Sequence, residues 1–328
     1  MKVNQVSDRP AYEAFYSVAG RLLFVGSRDL RLRHLIELLF NTWQLTPVSF
    51  PDRSPDIRIN FTCCETTLEL PRHLNQFEIA EDGHCYTSGA DFYLALRDSV
   101  VHLISGTPVT VDVSVAKLPG PEDPLLATIT SFAVCAALRR FGLFDLHSAG
   151  VINPSSGKGI LIVGPSGSGK STLALQLTRS RWPYLSDDLL LLSLVDGEVH
   201  ARGFRKFFAV STQGDSRIKT WFEPEITFES PRLAHASPDL LLFTSLNGEE
   251  KTRLSKLTQA ETMMRLIKAC PWATYDTSIA GANLEVLSTL ARQATGFNLS
   301  AGRDLLIPGR AAELLTGVAT EGHSYNEP

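Results

Sequence analysis

The chain has 328 residues, 44% of them hydrophobic and 20% charged, with a formal net charge of -4. That apolar content excludes an intrinsically disordered chain, and the scattered lysines and arginines lack the basic stripe of a nucleic-acid binder. Length alone predicts two domains rather than one.

The opening MKVNQVSDRPAYEAF has no apolar core of a signal peptide, and no stretch approaches the roughly 20 apolar residues of a membrane span. A cytoplasmic protein with no membrane partner is therefore expected. Leu32, Leu35, Ile36 and Leu39 share one face of a predicted helix that Asp29 starts. Ile57, Ile59 and Phe61 alternate with polar neighbours, as do Phe92, Leu94 and Leu96 and then Val109, Val111, Val113 and Val115, the period of half-buried strands. Asp98-Ser99 separates Leu96 from the run Val100 to Ile104 and predicts a hairpin. Cys63, Cys64, Cys85, Cys135 and Cys270 show no CxxC spacing and read as buried free thiols.

In AKLPGPEDP, residues 116 to 124, Pro119, Gly120, Pro121 and Pro124 stand between two periodic regions. The predicted division places a smaller β-rich α+β module at residues 1–118 and a second domain at 119–328. Leu125, Ile129, Phe132 and Ala136 then repeat at helical spacing until Arg139, Arg140 and Gly142. Further on, Thr258 and Glu261 form a capping box for a helix reaching Cys270, and Leu284, Leu287, Leu290 and Ala291 mark another.

Residues 159 to 177, GILIVGPSGSGKSTLALQL, satisfy GxxxxGK[ST] at Gly164, Gly169, Lys170 and Ser171. An apolar strand precedes the turn, and Leu173, Ala174 and Leu177 share a helical face after it, so the motif has its required context. Gly164, Gly167 and Gly169 let the loop curl, and the N–H groups of Pro165-to-Thr172 backbone, proline excepted, can point at phosphate oxygens beside the positive end of a helix. Ser166 and Ser168 complete the loop. Lys170 can reach the β- and γ-phosphates, the Ser171 hydroxyl suits magnesium, and Thr172 suits the α-phosphate. ATP is preferred because no NKxD-type guanine-reading motif is present.

Soon after comes Trp182-Pro-Tyr-Leu-Ser-Asp187-Asp188, a very short strand ending in two carboxylates, followed by the apolar run Leu189 to Leu194. Beside a triphosphate one acid can hold magnesium and the other can take a proton from an incoming hydroxyl. His147, in Leu146-His-Ser-Ala-Gly150, precedes the phosphate-loop strand and reads either as a structural histidine or as an electrostatic or proton-handling partner of the acids. Arg202, Arg205 and Lys206 follow a predicted turn at Asp196-Gly197; they suit either the phosphates or solvent. The polar stretch Gly214 to Lys219 is read as a mobile loop over the site.

In order, His147, GPSGSGKS at 164 to 171 and SDD at 186 to 188 resemble the catalytic domain of the HPr serine kinase/phosphorylase family, over about Leu125 to Leu315. The resemblance is closer still to diverse HPr-kinase-like proteins, which include peptide-modifying kinases. It implies a mixed-sheet P-loop kinase domain of the phosphoenolpyruvate-carboxykinase type, using ATP and Mg2+ to phosphorylate a hydroxyl-bearing acceptor such as a peptide or protein serine or a small molecule. A homo-oligomer is expected. By the same resemblance Lys170 and Ser171 serve ATP and magnesium, Asp187 is the base and Asp188 helps hold the metal, with the reverse assignment of the two acids left open. His200-Ala201-Arg202-Gly203 lacks the glutamate of the family's Glu-hydrophobic-Arg-Gly signature. That departure argues against the reverse phosphorylase reaction, and HPr itself is a poor match for the acceptor. The competing reading is a nucleotide-gated binding protein with weak or no ATPase activity.

Overall fold

Alternation of side chains with period two and period 3.6 is what the chain converts into layers. A computed structural model describes residues 11–64, 75–79, 83–118, 120, 124–212 and 215–320. The chain divides into two compact units between Phe141 and Gly142, with Tyr275–Ser278 belonging to the first. The sequence-based division at 118/119 falls one helix earlier; Pro119 and Pro121 lie outside the described residues.

The first unit contains β1 (Tyr12–Val18), β2 (Arg21–Ser27), α1 (Leu30–Asn41), β3 (Thr46–Pro47), β4 (Ile57–Cys63), β5 (Asn75–Ile79), β6 (Gly83–Ser88), β7 (Asp91–Leu96), β8 (Ser99–Ile104), β9 (Val109–Val115) and α2 (Leu125–Arg139). Among the described residues its strands form one sheet in the order β3-β1-β2-β4-β9-β8-β7-β6-β5. Pairs β2–β4 and β4–β9 are parallel and the rest antiparallel. Ile57, Ile59, Phe61, Val109, Val111, Val113 and Val115 are all buried, as the alternation predicts. Asp29 caps α1 by accepting from the Arg31 N–H, and Leu32, Ile36 and Phe40 are its buried face. Helix α2 packs on β8 and β9, which is why it belongs to this unit and not to the next. Arg140, just past α2, pairs with the buried Asp276 at 2.6 Å and ties Tyr275–Ser278 to the same unit. Cys63 and Cys64 are half-buried, while Cys85, Cys135 and Cys270 are buried, all as free thiols.

The second unit runs through β10 (Phe144–Ile152), β11 (Gly159–Val163), α3 (Lys170–Arg179), β12 (Tyr184–Ser186), β13 (Leu189–Val195), β14 (Glu198–Gly203), β15 (Phe208–Thr212), β16 (Asp215–Phe222), α4 (Pro224–Thr227), β17 (His235–Ala236), β18 (Pro238–Leu246), β19 (Arg253–Lys256), α5 (Gln259–Ala269), the short α6 (Trp272–Tyr275, its last residue counted with the first unit), α7 (Ala280–Gln293), β20 (Thr295–Ala301) and α8 (Arg310–Thr320). Its mixed sheet has the order β17-β14-β13-β10-β11-β18-β20-β19, and β12 also pairs with β10. Strands β11, β18 and β20 are parallel neighbours, and β10 runs antiparallel to β11. Every residue of β11 is buried, as expected of a parallel strand covered on both faces. On one side Ile160, Ile162, Leu240 and Leu242 pack with Leu173, Leu177 and Leu315 of α3 and α8. On the other, α5 and α7 lean on each other and on β20. The capping box of α5 forms in full, Thr258 Oγ1 accepting from the Glu261 N–H at 3.2 Å while Glu261 accepts from the Thr258 N–H at 2.8 Å.

Asp215 to Lys219, read from sequence as part of a mobile loop, instead belong to the strand Asp215–Phe222 of a hairpin, with Phe208 opposite Phe222 and Val210 opposite Thr220. Polar composition misled there because a strand is made by pairing of its backbone N–H and C=O groups, which polar residues supply as well as apolar ones. Gly214 lies outside the described residues. No helix among the described residues is long and apolar enough to cross a membrane.

Candidate functional site

Parallel pairing of β11 with β18 sets the phosphate loop. Val163, the last residue of β11, stands opposite Phe243, so Gly164 leaves the sheet beside Thr244, which is still within β18, near the carboxyl ends of both strands, where open α/β sheets place ligands. A side chain on Gly164 would lie 2.5 Å from Ser168 Oγ and 2.8 Å from the Thr244 carbonyl oxygen, so only glycine fits. Gly167 and Gly169 adopt φ of +78° and +92°, the left-handed turn that glycine takes without steric cost. Ser168 Oγ lies 3.1 Å from Thr244 Oγ1, which donates to the Val163 carbonyl at 3.3 Å.

Helix α3 starts at Lys170 with Gly169 as its N-cap and no side-chain cap, leaving its first N–H groups for another acceptor. Lys170 Nζ donates to the carbonyls of Gly164 at 2.8 Å and Pro165 at 3.0 Å, so the ammonium is buried and braces the loop. Loop, brace and helix end open on a cavity of about 620 Å3. Ser166, Gly167, Ser168, Gly169, Lys170, Ser171 and Thr172 all line it, joined by His147 and Asp188.

Pairing of both β12 and β13 with β10 turns the chain sharply at Asp187-Asp188 and puts His147, opposite Leu189, beside the acids. His147 Nδ1 is 3.2 Å from Asp188 Oδ1, and Arg205 Nε is 3.8 Å from Asp188 Oδ2. Asp187, 2% exposed, points away from solvent, accepts from the Ala209 N–H at 2.8 Å and does not line the cavity. The side chain of Asp188 is 41% exposed.

These adjacent carboxyls are driven apart. Burial and then the neighbouring Asp188 charge push Asp187 up to about 7, against the weaker pull of the Ala209 N–H and Arg205. Burial acts to raise Asp188 too, but the hydrogen bond and charge of His147, with Arg205 and Lys170, outweigh it and bring Asp188 down to about 2. One acid is ready to exchange a proton near neutrality and the other is a fixed anion open to the cavity.

Comparison with known proteins finds no matching family model and no matching curated protein. Among solved structures the chain is similar to the HPr(Ser) kinase/phosphatase from Coxiella burnetii, with a TM-score of 0.32 and 10% identity over 55% of this chain and 99% of that one.

The fit to Mg-ATP therefore rests on this site alone. A glycine-only cradle, an uncapped helix start, a buried lysine on the loop and a fixed anion facing them are the donor set a magnesium-bound triphosphate requires. Sequence reasoning missed Thr244, although PDLLLFTSL at 238–246 carries its signal: a run of buried-strand residues ending in a hydroxyl. It also missed the apolar end of the cavity at Leu246, Leu299 and Leu305. Of the three basic residues at 202 to 206, Arg205 approaches the acids. Arg202 lies on β14 opposite His235 and takes no part in lining the cavity.

Proposed function

We propose that the second unit is an ATP- and magnesium-dependent kinase that transfers the γ-phosphate to the hydroxyl of a peptide or protein serine or a small molecule, on a fold of the phosphoenolpyruvate-carboxykinase type. One observation carries the reading: the phosphate loop, Lys170, Ser171, His147 and Asp188 converge on a single cavity of about 620 Å3. Mg-ATP, when bound, supplies the phosphoryl group and the metal that neutralises its developing charge.

In this reading the loop N–H groups and Lys170 hold the β- and γ-phosphates, and Ser171 and Asp188 hold the metal. His147 orients Asp188, and Arg205 adds positive charge on the other carboxylate oxygen. Asp187 takes the proton of the acceptor hydroxyl, the role its pKa near 7 suits. A second reading, a nucleotide-gated binding protein with weak or no ATPase activity, draws on one observation: Asp187 does not reach the cavity wall.

Asp187→Asn separates them. A kinase keeps Mg-ATP binding within a few-fold and loses phosphoryl transfer by about 10²- to 10⁴-fold, measured with labelled ATP. Transfer that continues undiminished in this variant removes Asp187 as the base; no transfer in the unsubstituted protein, with binding intact, favours the gate.

A further inference from the structure

A second cavity of about 370 Å3 adjoins the phosphate loop on the α5 side, lined among others by His147, Gly164, Pro165, Phe243, Arg265 and Lys268. It shares His147 and Thr244 with the larger cavity, so the two meet at the reacting end of the loop. Gly164 and Pro165, which wall it, are the two residues whose carbonyls hold the Lys170 ammonium. No Asp or Glu lines it among the described residues.

Its two cations are three residues apart on α5, and so share a helix face. Arg265 is held in place: Nη1 donates to Asn298 Oδ1 at 2.9 Å, and the guanidinium lies 5.6 Å from the centroid of the Phe243 ring. Lys268 is exposed. An apolar floor of Val163 and Phe243 under two cations with no lining carboxylate is a site for an anion carried on a small organic body.

We propose that this cavity binds the phosphate acceptor and that the acceptor is a small anionic alcohol, its carboxylate or phosphate gripped by Arg265 and Lys268 and its hydroxyl directed past His147 to the acids. This rests on the kinase reading. The acceptor hydroxyl oxygen forms the new O–P bond as the bond from the γ-phosphorus to ADP oxygen breaks, and the hydroxyl proton passes to Asp187.

The test is calorimetric titration of the protein saturated with Mg2+ and a non-hydrolysable ATP analogue, using glycerate, glycerol 3-phosphate and glycerol as probes. Either anion binds and glycerol does not; which anion binds tells carboxylate from phosphate. Lys268→Glu, on an exposed side chain that folding does not need, weakens that binding at least tenfold, and Arg265→Gln does the same, while both variants keep the nucleotide affinity. Equal binding of glycerol, no binding of either anion, or anion binding unchanged in Lys268→Glu overturns the proposal. If the ATP analogue itself fails to bind the unsubstituted protein, the kinase reading falls first, and that outcome is distinct because it appears before any acceptor probe is added.

Discussion

His147 Nδ1 stands 3.2 Å from Asp188 Oδ1, joining the middle of β10 to the turn that follows β12. Removing the ring frees one carboxylate oxygen and takes away the leading influence that holds Asp188 down against burial. We predict that His147→Ala raises the magnesium concentration needed for half-maximal activity by about 10- to 100-fold, the usual effect of losing a group that orients a metal ligand. Because the ring is about half exposed, the melting temperature should hardly move. A magnesium titration that superimposes on that of the unsubstituted protein would refute the role.

Lys170→Ala tests the loop. Lys170 is buried and donates to two carbonyls, so its loss should destabilise the ligand-free protein by about 1–2 kcal/mol, two ordinary hydrogen bonds' worth. Mg-ATP raises apparent stability as RT ln(1 + [L]/Kd), and the thermal shift should shrink sharply as Kd rises. A full Mg-ATP shift in Lys170→Ala would mean that nucleotide binds elsewhere.

The elevated Asp187 pKa has a stability consequence with a definite sign. Its folded value of about 7 exceeds the roughly 4 of an unfolded aspartate, so the folded state holds the proton more tightly. The contribution is fully present below about pH 4 and is lost as pH rises toward 7. Asp187→Asn, which keeps an acceptor for the Ala209 N–H, should therefore be more stable than the parent above pH 7, by as much as a few kcal/mol, with the gap closing toward pH 4. Denaturant melts of the ligand-free proteins at pH 4.5 and 8 decide it; a gap of the same size at both would show that Asp187 is ionised at its ordinary pKa.

Gly164 and Gly167 should fail for different reasons. At Gly164 an added methyl meets Ser168 Oγ and the Thr244 backbone, so Gly164→Ala should displace the loop, cost about 1–3 kcal/mol and abolish nucleotide binding. At Gly167 there is open space and only a positive φ, so Gly167→Ala should cost about 1 kcal/mol and weaken nucleotide binding less. Thermal melts with and without Mg-ATP would show the order, and equal losses in the two variants would contradict it.

What the sequence determined about this protein is what short-range physics controls. Alternating valines and isoleucines give β4 and β9, the 3.6-residue spacing and Asp29 give α1, the Thr258 capping box gives α5, and the glycines of 164 to 169 give a phosphate loop between a buried strand and a helix. Each depends on neighbours within a few residues along the chain. The tertiary structure alone decided the rest. Asp187 and Asp188 are indistinguishable by position, yet one is turned inward against Ala209 and the other outward beside His147, and burial and through-space charge set their proton affinities. Thr244 reaches Ser168 from 76 residues away because β11 and β18 happen to be parallel neighbours in register. Arg265 shares a cavity with Gly164 and Pro165 of the loop only because α5 lies against the strand β20 that carries Asn298. Helix α2 carries no local mark of the unit it joins; packing on β8 and β9 assigns it.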